Sequence, residues 1–172
     1  PHCGTDEFTA DLLKENPELI QKYAQARAVI TEKAAQLAQQ SNSAAEQAPL
    51  YTIPVVVHVI YNSQYDNISK SQILDALRVL NEDFRRQNAD ASNTRAIFQP
   101  VAADIEVEFA LAKKAPDGSC SDGINRVKSA ASINARDNVK DLISWDNSRY
   151  MNIWVVNSIN SSSSAGTVLG YA

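Results

Sequence analysis

The side chains here that could bind a metal or attack a substrate are few: two cysteines, two histidines and scattered carboxylates. Cys3 sits in the opening run PHCGTDE, where Gly4 leaves a slim thiol on a turn able to approach a metal closely. From these residues alone it reads better as a terminal cysteine, free or in a disulfide, and His2 beside it better as an exposed terminal histidine than as a second ligand. Cys120 lies in a turn between Gly118 and Gly123, with Cys3 or a cysteine beyond Ala172 as its candidate disulfide partner. His58 lies within an apolar run and reads as a hydrogen-bonded core histidine rather than a ligand. Glu106 and Glu108 would share a strand face, where solvation explains them better than acid–base chemistry. There is no His-Glu-x-x-His, no Cys-x-x-Cys, no phosphate-binding loop and no Gly-x-Ser-x-Gly.

The elements that would position these residues follow from periodicity. Asp11–Gln40 is rich in helix formers, with Leu13, Ile20, Tyr23, Ile30 and Leu37 at roughly helical intervals, predicting one or two helices with Pro17 near a start. The polar stretch Gln39–Ala48 reads as a linker and domain boundary. Tyr51–Tyr61 is β-branched and apolar on both faces, as in a buried strand of an α/β sheet, with Pro54 near its start or unpaired. Ser69 and Gln72 form a capping-box pattern ahead of Ile73, Leu77, Leu80 and Phe84 at helical spacing. Ile105 to Leu111 alternates as a half-exposed strand, Asn138–Ile143 reads as a short helix, and Met151–Val156 reads as a further strand. A serine-rich loop over Ser158–Ser164 then precedes a short strand at Thr167–Tyr171.

With 172 residues, 44% of them hydrophobic, the chain can form one domain with an accessory segment. Sixteen basic against twenty acidic residues give a net charge of -4, with no basic stripe, which argues against nucleic acid and anionic membrane as partners. The longest apolar run, Val55–Ile60, is far too short to span a bilayer. No signal-peptide pattern is present, and the sequence begins at Pro1 as a processed chain would.

Six segments in order carry a resemblance: IPVVVHVIY, SQILDALRVLNEDFRRQN, ADIEVEFALA, PDGSCSDGINRV, WDNSRYMNIWVV and GTVLGYA. Together they cover most of Ile53–Ala172 and resemble the first half of pappalysin-family (cytophagalysin-type) metzincin zinc metalloproteases. The resemblance implies an α/β (α+β) subdomain, a twisted mixed sheet with a backing helix, over residues 51–172. Residues 1–50 would then be a helical propeptide. The family's zinc-binding motif would follow on a helix beyond Ala172. Gly166–Ala172 would be the strand along the substrate cleft, with Leu169, Gly170, Tyr171 and Ala172 binding substrate through the main chain. Cys3 would be a latency ligand to zinc, a cysteine switch, and Cys120 would pair with a cysteine outside this chain. No catalytic residue would lie within the chain. The function so implied is a secreted, latent zinc endopeptidase acting on peptides or proteins. Its partners would be those substrates and the remaining C-terminal half of the catalytic domain, with calcium as a second candidate cofactor. The alternative is a non-catalytic binding or inhibitory module that keeps only this subdomain.

Overall fold

The structure, a computed structural model, describes residues 2–40, 50–160 and 167–172. In chain order its elements are β1 (His2–Cys3), α1 (Thr5–Glu15), α2 (Glu18–Gln40), β2 (Tyr51–Tyr61), α3 (Lys70–Phe84), β3 (Val107–Leu111), β4 (Ile124–Lys128), β5 (Met151–Val155) and β6 (Val168–Gly170). Short 3₁₀ turns occupy Ala91–Asn93, Ala96–Val101, Ala130–Ser132 and Asp137–Val139. Contacts divide the chain into two compact units, Pro49–Asn160 and a second made of Pro1–Ala48 with Ser161–Ala172. The expected linker falls largely on residues 41–49, and most of the serine-rich loop on residues 161–166. Both lie outside the described residues.

In the Pro49–Asn160 unit, β2 is the axis. It pairs with β3 along Tyr51–Val55, with β4 along Val57–Tyr61 and with β5 along Val55–Val59. Val55 pairs with both Leu111 and Met151, and Val57 with both Ile124 and Ile153. A strand has two edges, so β5 lies along one edge of β2 while β3 and β4 follow each other along the opposite one. The α/β fold with a helix backing a sheet is the one expected. Every pairing of β2 is parallel, however, where a mixed sheet was expected. Pro54 precedes the stretch that β5 covers, so its missing N–H costs no ladder bond.

Because strand side chains alternate, the buried run Val55–Ile60 feeds two faces. Val55, Val57 and Val59 pack with Ile73 and Leu77 of α3 and with Phe109 and Leu111 of β3. Each such buried aliphatic side chain contributes roughly 1.5–3 kcal/mol. On the other face, Val56 meets Ala112, Tyr150 and Trp145, and Ile60 meets Ala135 and Val139. The capping box at Ser69 forms as the sequence implies, Ser69 Oγ accepting from Gln72 N–H and Gln72 Oε1 from Ser69 N–H. Asn81 ties α3 to the outer edge of β3, donating to Phe109 O at 3.0 Å and accepting from Phe109 N–H at 2.7 Å. Between β3 and β4 the chain turns at Gly123, whose φ of +74 and contacts leave no room for a side chain. A Cβ there would lie 2.8 Å from the Ala112 nitrogen.

Three expectations need correction. Glu106 has a φ of +56 and precedes β3, so it does not share an extended face with Glu108, which instead pairs with Arg85 at 3.2 Å. The helix expected at Asn138–Ile143 is only the 3₁₀ turn Asp137–Val139. Ile124–Lys128, not read as a strand, is β4.

In the other unit the helical reading holds, with Pro17 just ahead of α2 and α1 beginning as early as Thr5. Ile20, Tyr23, Ile30 and Leu37 of α2 are exposed. β1 pairs in parallel with β6.

Candidate functional site

Cys3 and the Leu169–Ala172 segment, two separate expectations of the sequence, come together in the β1–β6 pair. His2 pairs with Val168 and Cys3 with Gly170, a register shift that leaves Leu169 without a partner and 72% exposed. The Gly4 N–H donates to Gly170 O at 2.8 Å. Gly4 also starts α1, its carbonyl accepting from Phe8 N–H at 2.9 Å, so strand and helix join without a loop. A Cβ on Gly4 would stand 2.8 Å from Val168 Cγ1 and 3.0 Å from Phe8 Cε2. Only a glycine lets the segment sit this close to β6.

Thr5 joins the thiol to Ala172. Its Oγ1 accepts from the Ala172 N–H at 3.1 Å and lies 3.1 Å from Cys3 Sγ. With a lone pair turned toward Ala172, the hydroxyl proton is available to sulfur. The Cys3 thiol is accordingly pulled below its ordinary value, first by the Thr5 hydroxyl and then by the Thr5 backbone N–H, against opposition from burial and Asp6. An exposed thiol whose pKa is lowered gives up its proton to a soft or borderline metal ion more readily than an ordinary cysteine. It is one ligand rather than a site: among the described residues no group of three or more His, Cys, Asp or Glu side chains is placed to hold a metal ion. The His2 side chain lies outside what the structure describes.

Phe8 is the residue of this cluster that sequence reasoning did not assign a part, and the Thr5 link to Ala172 was not foreseen either. Phe8 stacks on Tyr171 with ring centroids 3.8 Å apart and planes 3° from parallel. Its signal was its type: it is the first aromatic residue in a segment otherwise polar through Ala10. Cys120 is an exposed free thiol bridged to Lys114 across its turn. Cys3 is also free, so the Cys3–Cys120 pairing left open by the sequence is not formed.

His58 is fully buried, as expected of a core histidine. Its Nε2 is 2.9 Å from Asn152 Oδ1, and Asn125 Nδ2 is 3.3 Å from its Nδ1. Asn152 Nδ2 already donates to Trp145 O and Tyr150 O, so its Oδ1 must accept, which fixes the Nε2–H tautomer with Nδ1 accepting from Asn125. Burial pushes the His58 pKa down, partly opposed by the Asn152 bond. The unfolded state therefore holds the extra proton between the folded value and about 6.5. This contribution to stability is complete above about pH 6.5 and is lost as pH falls through the folded pKa. Urea midpoints should drop between pH 7.5 and 5.5, above the range where carboxylates titrate. A flat midpoint across that interval would show that His58 does not stay neutral in the fold.

No protein-family model matches the chain, and no curated protein does. Among the described residues no helix is long and apolar enough to cross a membrane. Solved structures do match. Mature mirolysin of Tannerella forsythia in complex with a cleaved peptide is 42% identical over 62% of this chain and 42% of its own, with a TM-score of 0.57. Mirolysin in complex with compound 9 gives 42% identity over the same shares, with a TM-score of 0.56. A promirolysin mutant from Tannerella forsythia is 36% identical over 94% of this chain and 50% of its own, with a TM-score of 0.65. This chain thus spans half or less of the length of the structures it matches, and its likeness to promirolysin runs through nearly all of it.

Proposed function

We propose that this chain is the propeptide and first half of the catalytic domain of a latent, secreted zinc endopeptidase of the pappalysin-like metzincin group. The carrying observation is that β1, with Cys3 at its end, occupies the backbone of β6, the segment assigned to substrate. A strand added to an unpaired edge gains main-chain hydrogen bonds with little demand on sequence, as an extended peptide substrate would. While β1 is there, a substrate cannot take the same bonds. The two kinds of match support this reading: promirolysin aligns with 94% of the chain and mature mirolysin with 62%, a difference close to the extent of residues 1–50.

In this reading residues 1–50 impose latency and 51–172 belong to the catalytic domain, with Leu169–Ala172 contributing one wall of its cleft. Bound zinc would supply the Lewis acid and activated water for peptide hydrolysis. Cys3 would take the remaining coordination position: its sulfur is exposed beside the strand and the Thr5 hydroxyl lowers its pKa. The other ligands would come from the C-terminal half of the catalytic domain. Cys120, exposed on its turn, is accessible to a cysteine outside this chain. X-ray absorption at the zinc edge of the full-length latent protein should show sulfur at about 2.3 Å, lost once the propeptide is removed. A shell of nitrogen and oxygen alone in the latent form would sink the assignment of Cys3.

A further inference from the structure

The Phe8–Tyr171 stack points beyond latency to what the cleft selects. Phe8 is the one buried residue of α1, at 8% exposure, and its ring lies flat over that of Tyr171, the residue just beyond β6. Tyr171 is half-buried with Phe8 in place. On the strand itself, Gly170 has open space where a side chain would stand, and Leu169 points into solvent. The main-chain bond from Gly4 to Gly170 carries no sequence information. Along β6, Tyr171 is the side chain with a large flat surface to offer, and in the latent arrangement an aromatic ring covers it.

We propose that the Tyr171 ring is a specificity platform that takes an aromatic side chain of the substrate, and that Phe8 is the propeptide's stand-in for that side chain. This rests on the reading of β6 as the peptide-binding strand. A near-parallel stack with centroids 3.8 Å apart gives the rings a flat contact that a branched aliphatic side chain cannot match, so the platform discriminates by shape as well as by apolar area. The propeptide also shows how far the ring must reach. Phe8 arrives from the first turn of a helix rather than from a strand, so a substrate would present its aromatic residue from a chain that leaves β6 near Gly170.

The test uses the activated full-length enzyme and peptides of one backbone carrying Phe, Leu, Arg or Ala at each position in turn. At one position Phe should raise kcat/KM about fivefold over Leu and Ala. Tyr171→Ala should erase that preference, lowering kcat/KM for the Phe peptide several-fold more than for the Ala peptide, and Tyr171→Phe should keep it. Equal losses on all peptides, or a preference for Arg at that position, would overturn the proposal. A second measurement needs no turnover: a labelled peptide of residues 1–15 and its Phe8→Ala version are titrated against the wild-type and Tyr171→Ala enzymes. The two substitutions should be strongly non-additive in Kd, and additivity would reject the platform. An enzyme that cleaves no peptide would sink the endopeptidase reading, while this binding cycle would still decide the role of Tyr171.

Discussion

Replacing Asn152 by alanine should destabilise the Pro49–Asn160 unit by about 3 kcal/mol, more than a typical single substitution. The amide serves four partners: its Oδ1 accepts from Trp145 N–H at 2.8 Å and from His58 at 2.9 Å, and its Nδ2 donates to Trp145 O and Tyr150 O. Truncation removes the partner of a buried imidazole N–H, of the main-chain N–H and C=O of Trp145, and of the Tyr150 carbonyl. Each orphaned group costs about 1–3 kcal/mol unless water enters. Asn152→Asp separates shape from chemistry. Its carboxylate could still accept from His58 and Trp145, but would face two carbonyls it can no longer donate to. It would also draw the His58 pKa upward against the effect of burial, so the stability lost as pH falls below about 6.5 should be smaller than in wild type. Denaturant titrations of both variants at two pH values test the account. An Asn152→Ala midpoint equal to wild type would mean that the network contributes nothing net.

Cys3→Ala in the full-length zymogen should raise basal peptidase activity by tenfold or more, on the order expected when a tethered ligand is lost from a site it occupies at high effective concentration. A mercurial that blocks the thiol should have the same effect. Thr5→Val should act in the same direction but more weakly, because it removes the hydroxyl that holds both Sγ and the Ala172 N–H while keeping the sulfur. The comparison separates coordination from strand pairing. Gly4→Val would force β1 away from Val168 with Cys3 intact, so a gain of activity there would locate part of the latency in the strand. If Cys3→Ala stays as silent as wild type while Gly4→Val becomes active, the block is steric and Cys3 is not a zinc ligand.

The legible parts of this molecule are those whose signals are local. The two-faced apolar run of β2, the capping box and helical spacing of α3, and the strand at Met151 each follow from periodicity within a dozen residues. β4 was missed because Asn125 and Arg126 interrupt its alternation, and its extended form depends on the template that β2 provides. Glu106 is a non-glycine residue with positive φ, a conformation with no sequence signature, and it carried the expected Glu106–Glu108 face away with it. At the candidate site, residue type with the following Gly and Thr drew attention to Cys3, and the resemblance supplied both its latency role and the segment from Leu169 to Ala172. Their pairing was not legible, because a two-residue strand has no period and its partner lies at the far end of the chain.

That distance has a consequence for the order of events at birth. Joining residue 2 to residue 168 closes one of the longest loops this chain can form, and the entropy of closure grows with the logarithm of length, about 0.6 kcal/mol for each doubling. Contacts so far apart in sequence form slowly unless intervening structure shortens the search. His2 and Cys3 are therefore among the last of the described residues to reach their place. Until Val168–Ala172 has been made, Cys3 has no strand to pair with, and the Thr5 hydroxyl beside its sulfur lacks the Ala172 N–H that completes the bridge.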